Sequence, residues 1–398
     1  MAKVIVGMSG GVDSSVTAHL LKEQGHEVEG VSFILWESGS QTSPETCCSL
    51  QAIEDASKSS RCIGIPHSTI DLRDDFIEKV IEPFVNAYSS GLTPNPCVLC
   101  NKFIKFPFLI KEAGKRGAGY ISTGHYARVE TEKSIVNSYQ SLTKTDVQSF
   151  PSAFVNRYFL KKGLDPKKDQ SYVLYNLKHE ELRRLKLPLG YHRKDEVRKI
   201  AQKLGLKAAT RPESQEICFI EERNYFKFIE GLSPVAGKPG PVVDTTGRII
   251  GEHKGIHGYT IGQRKGLGIS SSGPFYVVKI DALRNMLYVG PQEAAKKKEF
   301  SVKDVNWIIH IWERGEVSPH PYRASVKVRS MMKDEPATLF LVSGQQSAVS
   351  DKEQDTYASS DIVRVVFDEP QWAPAPGQSA VFYKDDVVIG GGIITSYD

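Results

Sequence analysis

Two groups of residues in this chain have the types and spacing for chemistry. The first is Ser9-Gly10-Gly11-Val12-Asp13-Ser14-Ser15, directly after the apolar run Lys3–Gly7. Glycines at a strand-to-helix turn let the backbone approach a ligand and take unusual dihedrals. The amides of such a loop and of the helix N-terminus point at an anion, which suits a phosphate. Ser9, Ser14 and Ser15 add hydroxyl donors, and Asp13 could cap the helix or hold Mg²⁺ against phosphate oxygens. No lysine stands in the loop, so it is not GxxxxGK followed by Ser or Thr, and its glycine spacing is not GxGxxG either.

The second group is the cysteines. Cys97 and Cys100 form C-x-x-C in TPNPCVLCNKFIKF, just before a helical pattern, with Lys102 and Lys105 following. Positive potential and a helix N-terminus lower a thiol pKa, and a thiolate there is a nucleophile. Cys218 stands 118 positions beyond Cys100, in SQEICFI. Cys62 reads as core, and Cys47–Cys48 as exposed or structural. C-x-x-C is also half a zinc site, but no second C-x-x-C or HxxxH completes it. Cys97, Cys100 and Cys218 could instead ligate an iron–sulfur cluster with one iron left open.

The elements that must position these groups follow from periodicity. Residues 1–130 alternate strand and helix patterns: strands at Lys3–Gly7, Val28–Leu35, His67–Asp71 and from Tyr120, helices at Asp13–Gln24, Leu50–Cys62, Asp74–Tyr88 and Lys102–Lys115. Such alternation predicts an open, mostly parallel α/β sheet. Ser134–Asn156 is polar with weak periodicity and reads as a surface insertion. Helical patterns return at Lys178–Lys186 and Lys194–Leu204. Residues 211–274 are Gly- and Pro-rich and suggest a small loop-and-strand unit. From 275 to 398, short strands recur at even spacing, as in a barrel or sandwich. Three domains result: 1–210, 211–274 and 275–398.

The 398 residues allow that many cores. A net charge of +4 marks no basic tail, though a local basic face is compatible with it. The N-terminus does not read as a signal peptide, and no apolar run is long enough for a membrane span. The expectation is a cytoplasmic protein with reduced cysteines and no membrane partner.

Ser-Gly-Gly-Val-Asp-Ser resembles the PP-loop of ATP pyrophosphatases. With it, GMSGGVDSSV (7–16), TPNPCVLCNKFIKF (93–106), STGHYAR (122–128), KKDQSYVLY (167–175), ESQEICFI (213–220), GQRKGLGI (262–269), PGQSAVFY (376–383) and GGGII (390–394) occur in order. Together they resemble the tRNA-specific 2-thiouridylases. The resemblance implies an N-terminal doubly wound parallel-sheet domain of the PP-loop type, akin to the adenine nucleotide alpha hydrolases. A small central domain and a C-terminal β-barrel would follow.

It also implies ATP-dependent 2-thiolation of the wobble uridine (position 34) of glutamate, lysine and glutamine tRNAs. Gly7, Met8, Ser9, Gly10, Gly11, Val12, Asp13 and Ser14 would bind Mg²⁺-ATP, helped by Phe33 and Gly124. Cys218 would carry a persulfide, supplied by a cysteine desulfurase or sulfur-relay protein. Cys100 would be its partner. Asn95, Pro96 and Cys97 would line the target base. His125, Lys168, Asp169, Gln170 and Gln378 would contact tRNA, and Lys161, Lys162, Lys167 and Lys168 would form a basic face.

Three departures stand out. Position 97 is Cys where many members have Asp. The 134–156 insertion is long. Arg329-Ser330 replaces Arg-Tyr at a tRNA contact. Competing classes are another PP-loop adenylating enzyme, such as an amide or amine ligase or a thiocytidine synthetase, and a non-catalytic tRNA-binding or iron–sulfur scaffold protein. An amide or amine ligase would not need Cys100 and Cys218, and a scaffold would not need the loop serines and Asp13.

Overall fold

The computed structural model describes residues 1–36, 50–136, 153–206, 217–220, 225–233, 237–269, 273–309, 311, 320–343 and 362–395. Five parallel strands form the first sheet: β1 (Lys3–Gly7), β2 (Glu27–Ile34), β3 (His67–Asp71), β4 (Tyr120–Ser122) and β7 (Leu185–Lys186), in the order β3-β2-β1-β4-β7. Val4, Ile5 and Val6 of the central β1 are fully buried, as a strand covered on both faces requires. The strand order reverses between β1 and β4. Ligands of such sheets bind beyond the strand C-termini at that reversal, and the loop Met8–Gly11 leaves β1 there, before helix α1 (Val12–Glu23).

Two helical stretches flank the site, each broken by a π turn: 73–89 around Ile77–Ile81, and 96–115 around Asn101–Lys105. The second begins six residues before the predicted Lys102. Asn95 caps it and Pro96 follows at its first position, a start signal that the apolar periodicity hides. Cys97 and Cys100 therefore lie within the helix, Cys97 in its first turn, rather than before it. The pattern at Lys178–Lys186 is a helix only over His179–Arg184, because Leu185–Lys186 pairs with β4 as the sheet edge.

The flanks of the predicted insertion are strands. β5 (Ala127–Val136) and β6 (Ala153–Lys162) pair antiparallel from Ala127↔Lys162 to Val136↔Ala153; the rest of the stretch lies outside the described residues. β6 also pairs with a C-terminal strand through Lys161↔Val387, so the hairpin joins the N-terminal region to the last sheet.

The central sheet contains β8 (Gly240–Val243), β9 (Ile249–His253), β10 (Tyr276–Asp281) and β11 (Met286–Gly290), in the order β10-β11-β8-β9. Residues 276–290, expected in the C-terminal domain, belong to this sheet instead. Their β-rich pattern signals a strand but not which sheet it joins. The remaining strands β12 (Lys296–Trp307), β13 (Tyr322–Lys327), β14 (Glu335–Ser343), β15 (Ile362–Trp372), β16 (Ser379–Lys384) and β17 (Val387–Ile394) run β12-β15-β14-β13-β16-β17 and close by β12–β17 pairing. This is a closed six-stranded antiparallel barrel around Phe300, Val326, Phe367 and Phe382. Among the described residues, no helix is long and apolar enough to cross a membrane.

Candidate active site

The serines brace the loop after β1. Ser9 N donates to Ser14 Oγ at 3.2 Å, and the Ser14 and Ser15 hydroxyls donate to Gly11 O at 3.3 and 3.0 Å. Gly11 takes the helix N-cap position without a side-chain cap, so the cap leaves the first amides of α1 to an anion. Gly10 sits at φ +73°, and a Cβ there would lie 2.1 Å from Ala52 O of helix α2 (Leu50–Ile63). Gly124 packs onto the loop from the far side, where a Cβ would be 2.7 Å from Ser14 N. Met8 is buried and its backbone is tied to β2 by Met8 N→Val31 O and Ser32 Oγ→Met8 O. Gly7 faces Leu109, and Phe33 is half-buried on β2.

Asp13 does not cap the helix; its carboxylate is engaged by two side chains. Lys194 Nζ reaches Oδ1 and Oδ2 at 2.7 and 2.8 Å, and Tyr126 Oη donates to Oδ1 at 2.7 Å. Lys194 and Tyr126 were not legible as site residues, because a lysine at the start of a helical pattern does not reveal a partner 181 positions away.

The cysteines are placed by the 96–115 helix. Asn95 Oδ1 accepts from Cys97 N at 3.1 Å, Pro96 is buried, and Cys97 is exposed. Cys100 is 7% exposed in an apolar cluster with Phe76, Phe84, Ile104 and Phe219, and half-buried Cys218 packs against that same cluster. The next residue, Asn101, is buried and donates to Val173 O at 2.9 Å. The fold thus brings positions 100 and 218 to one place. Both are thiols, as are Cys62 and Cys97. Cys62 is exposed, with its Sγ on Leu204 O, so its assignment to the core is corrected. Cys47 and Cys48 lie outside the described residues.

Among the described residues no three His, Cys, Asp or Glu side chains are gathered so as to hold a metal. The three thiols have the donor chemistry of an iron–sulfur cluster.

Several expected tRNA contacts have other occupations. His125 is buried, its ring stacked on Phe106 and its Nδ1 2.8 Å from Thr123 Oγ1. It braces the loop's surroundings rather than facing a polynucleotide. Burial, with Lys105 nearby, holds its pKa well below the ordinary histidine value. The neutral ring is the folded form, so stability is fully present above the unfolded pKa near 6.5 and falls as pH drops below it. We expect His125→Phe to flatten that acid limb by up to about 1.4 kcal/mol per pH unit, read from urea melts between pH 5 and 7.5. An unchanged slope would refute the assignment.

The Asp169 carboxylate accepts from the Gly163 and Ser171 amides and from Ser171 Oγ, and with 6% exposure it faces the protein. Gln170 is exposed, yet its Oε1 accepts from Tyr126 N. Lys168 is half-buried. Lys161 pairs with Glu130, and Lys162 with Asp334, which weakens the expected basic face; Lys167 stays exposed. Arg329 donates to Ile261 O and Ala373 O at 2.8 and 2.9 Å. It is a tie between central sheet and barrel, with half-buried Ser330 beside it. Gln378 Nε2 reaches Pro94 O at 3.5 Å, next to the cysteine helix.

Sequence comparison decides the kinship. The chain is 42% identical over 393 residues to the tRNA-specific 2-thiouridylase MnmA of Clostridioides difficile, covering 98% of each chain. It is 44% identical over 396 residues to the same enzyme of Halothermothrix orenii, covering 99% of each. The chain belongs to the tRNA-specific 2-thiouridylase family. Models described as a tRNA methyl transferase HUP domain and a tRNA methyl transferase PRC-barrel domain match residues 2–222 and 227–291. One described as an aminomethyltransferase beta-barrel domain matches 355–394. Two solved structures are more distantly similar. A 4-thiouridine synthetase–RNA complex with bound ATP has a TM-score of 0.36 at 16% identity, covering 58% of this chain and 50% of that one. The NMN synthetase of Francisella tularensis has a TM-score of 0.30 at 17% identity, covering 54% and 66%. Likenesses this slight bear on neither fold nor function.

Proposed function

We propose that this 2-thiouridylase family member is an ATP-dependent tRNA sulfurtransferase of the cytoplasm, acting at the wobble uridine (position 34) of glutamate, lysine and glutamine tRNAs. The full-length kinship carries the reading, and the meeting of Cys100 and Cys218 in one cluster supports its chemistry.

ATP binds with its phosphates on the Ser9–Ser14 amides and hydroxyls. Mg²⁺ arrives on the nucleotide's own phosphates, since Asp13 is engaged by Lys194 and Tyr126. The uridine, splayed from the anticodon loop, rests by Asn95, Pro96 and Cys97. Its C2 oxygen attacks the α-phosphorus and pyrophosphate leaves. The terminal sulfur of a Cys218 persulfide adds to C2, and AMP departs with the oxygen. Cys100 thiolate then attacks Cys218 Sγ. The sulfur–sulfur bond to the uridine breaks, 2-thiouridine leaves, and a Cys100–Cys218 disulfide remains. An external thiol reduces it, and a cysteine desulfurase or sulfur-relay protein reloads Cys218. No step is routed through a [4Fe-4S] cluster.

The deciding experiment is nucleoside mass spectrometry of unmodified glutamate tRNA incubated with the protein, Mg²⁺-ATP and a persulfide donor. 2-Thiouridine with AMP is the expected result. AMP without thiouridine would leave an adenylating loop with the wrong acceptor or sulfur route. Neither product from folded protein would favour the binding-protein class. Gln378→Ala is expected to weaken tRNA binding severalfold at fixed salt while ATP affinity stays within about twofold, measured by filter binding and calorimetry. Equal loss of both would mean that the barrel has unfolded.

A further inference from the structure

We infer that the segment leading into the cysteine helix is held by a two-sided clamp from the central sheet and the barrel, and that Gly377 and Thr93 are positioning residues for Cys100. The inference rests on the function proposed above.

One jaw is the central sheet. Gly91, at φ +72°, lies against the end of β10, where an added Cβ would be 2.8 Å from Ile280 Cγ2 and 3.6 Å from Ala282 Cβ. Thr93 Oγ1 donates to Thr260 Oγ1 at 3.4 Å. The other jaw is the barrel. Thr93 N donates to Pro376 O at 2.8 Å. Gly377, at φ +91°, comes so close that a Cβ would sit 2.9 Å from Thr93 N and 3.0 Å from Leu92 Cβ. Gly377 is itself fixed, because its amide donates to Ile394 O and Ile394 N donates to Gln378 O. Arg329 links the jaws through Ile261 O and Ala373 O.

The grip passes to the thiol over a short, stiff path. Thr93 is buried, and only Pro94 separates it from Asn95, the cap of the helix that carries Cys100. Pro94 and Pro96 each have a fixed φ, which removes two of the rotations by which the chain could absorb a shift at Thr93. A displacement there moves the cap, the first helical turn and Cys100 together. The regions expected to grip tRNA would thereby also set the thiol, and reacting groups lose about 10²-fold in rate when misplaced by about 1 Å.

The test compares Gly377→Ala with Gly247→Ala in the full-length protein. Gly247 has a similar φ of +87° with nothing within 4 Å of an added Cβ, so it carries the backbone penalty without the clash. For Gly377→Ala we expect single-turnover thiolation to fall about ten- to a hundredfold. ATP and tRNA affinities should stay within about twofold, and the rate of Cys100 alkylation by iodoacetamide, read by peptide mass spectrometry, should change severalfold. Gly247→Ala should move none of these. Should Gly377→Ala fail to fold, Thr93→Val keeps the shape and removes the hydroxyl contact, and a smaller change of the same kind is expected. Gly377→Ala behaving like Gly247→Ala in both rate and alkylation would overturn the clamp. A wild-type protein without thiolation activity would refute the function instead, while alkylation would still test the clamp.

Discussion

Cys218→Ala and Cys100→Ala are each expected to give no detectable 2-thiouridine while ATP still binds. Cys100 and Cys218 lie in the Phe76–Phe84–Phe219 cluster, whereas the nucleotide loop is braced by Ser9, Ser14, Ser15 and Gly124. Removing a small thiol, buried at Cys100 and half-buried at Cys218, costs little packing, so loss of product with an unchanged melting temperature would report chemistry. Cys97 separates the two sulfur routes. In the persulfide route it only borders the base, and Cys97→Asp should keep activity within about tenfold, since position 97 makes no covalent step. A three-thiol cluster would lose a ligand. Iron content after anaerobic purification, with product formed by Cys97→Asp, gives the readout. Activity that vanishes together with bound iron would overturn the persulfide route.

How much of this was legible depended on whether the relevant physics was local. The β1–loop–α1 unit reads directly, because the apolar strand, the glycines and the serines are all encoded within Lys3–Ser15. The strand His67–Asp71 was placed at its observed bounds. Long-range pairings were not legible. Nothing in Tyr276–Gly290 says that it pairs with Gly240–Val243 rather than joining the barrel. Asp13 looked like a cap or metal ligand because its partner Lys194 is remote in sequence. His125 and Asp169 follow motifs that suggest contact, yet burial gives them internal partners. Family motifs named these residues, and the fold shows which of them have internal partners.

The two glycines of the loop should respond very differently to the same substitution. Gly10→Ala is expected to abolish ATP binding and to lower stability. Its φ of +73° costs an L-residue about 1–2 kcal/mol, and the new Cβ would overlap Ala52 O at 2.1 Å. That oxygen is backbone of α2, so relief requires a helix or the loop itself to shift. Gly11→Ala meets only Ser9 Oγ, at 3.4 Å, with an extended backbone of φ −82°, and its melting temperature should stay close to wild type. Gly124→Ala isolates the steric part. Its backbone needs no left-handed φ, but its Cβ would press 2.7 Å from Ser14 N, an amide of the phosphate cradle. It should therefore lose ATP affinity by at least about tenfold, a cost of about 1.4 kcal/mol, with less loss of stability than Gly10→Ala. Calorimetric titration with ATP beside thermal melts of the three variants measures both quantities. If Gly124→Ala binds ATP as tightly as Gly11→Ala, the phosphates do not sit on the Ser14 side of the loop, and the nucleotide site must lie elsewhere along the β1 switch point.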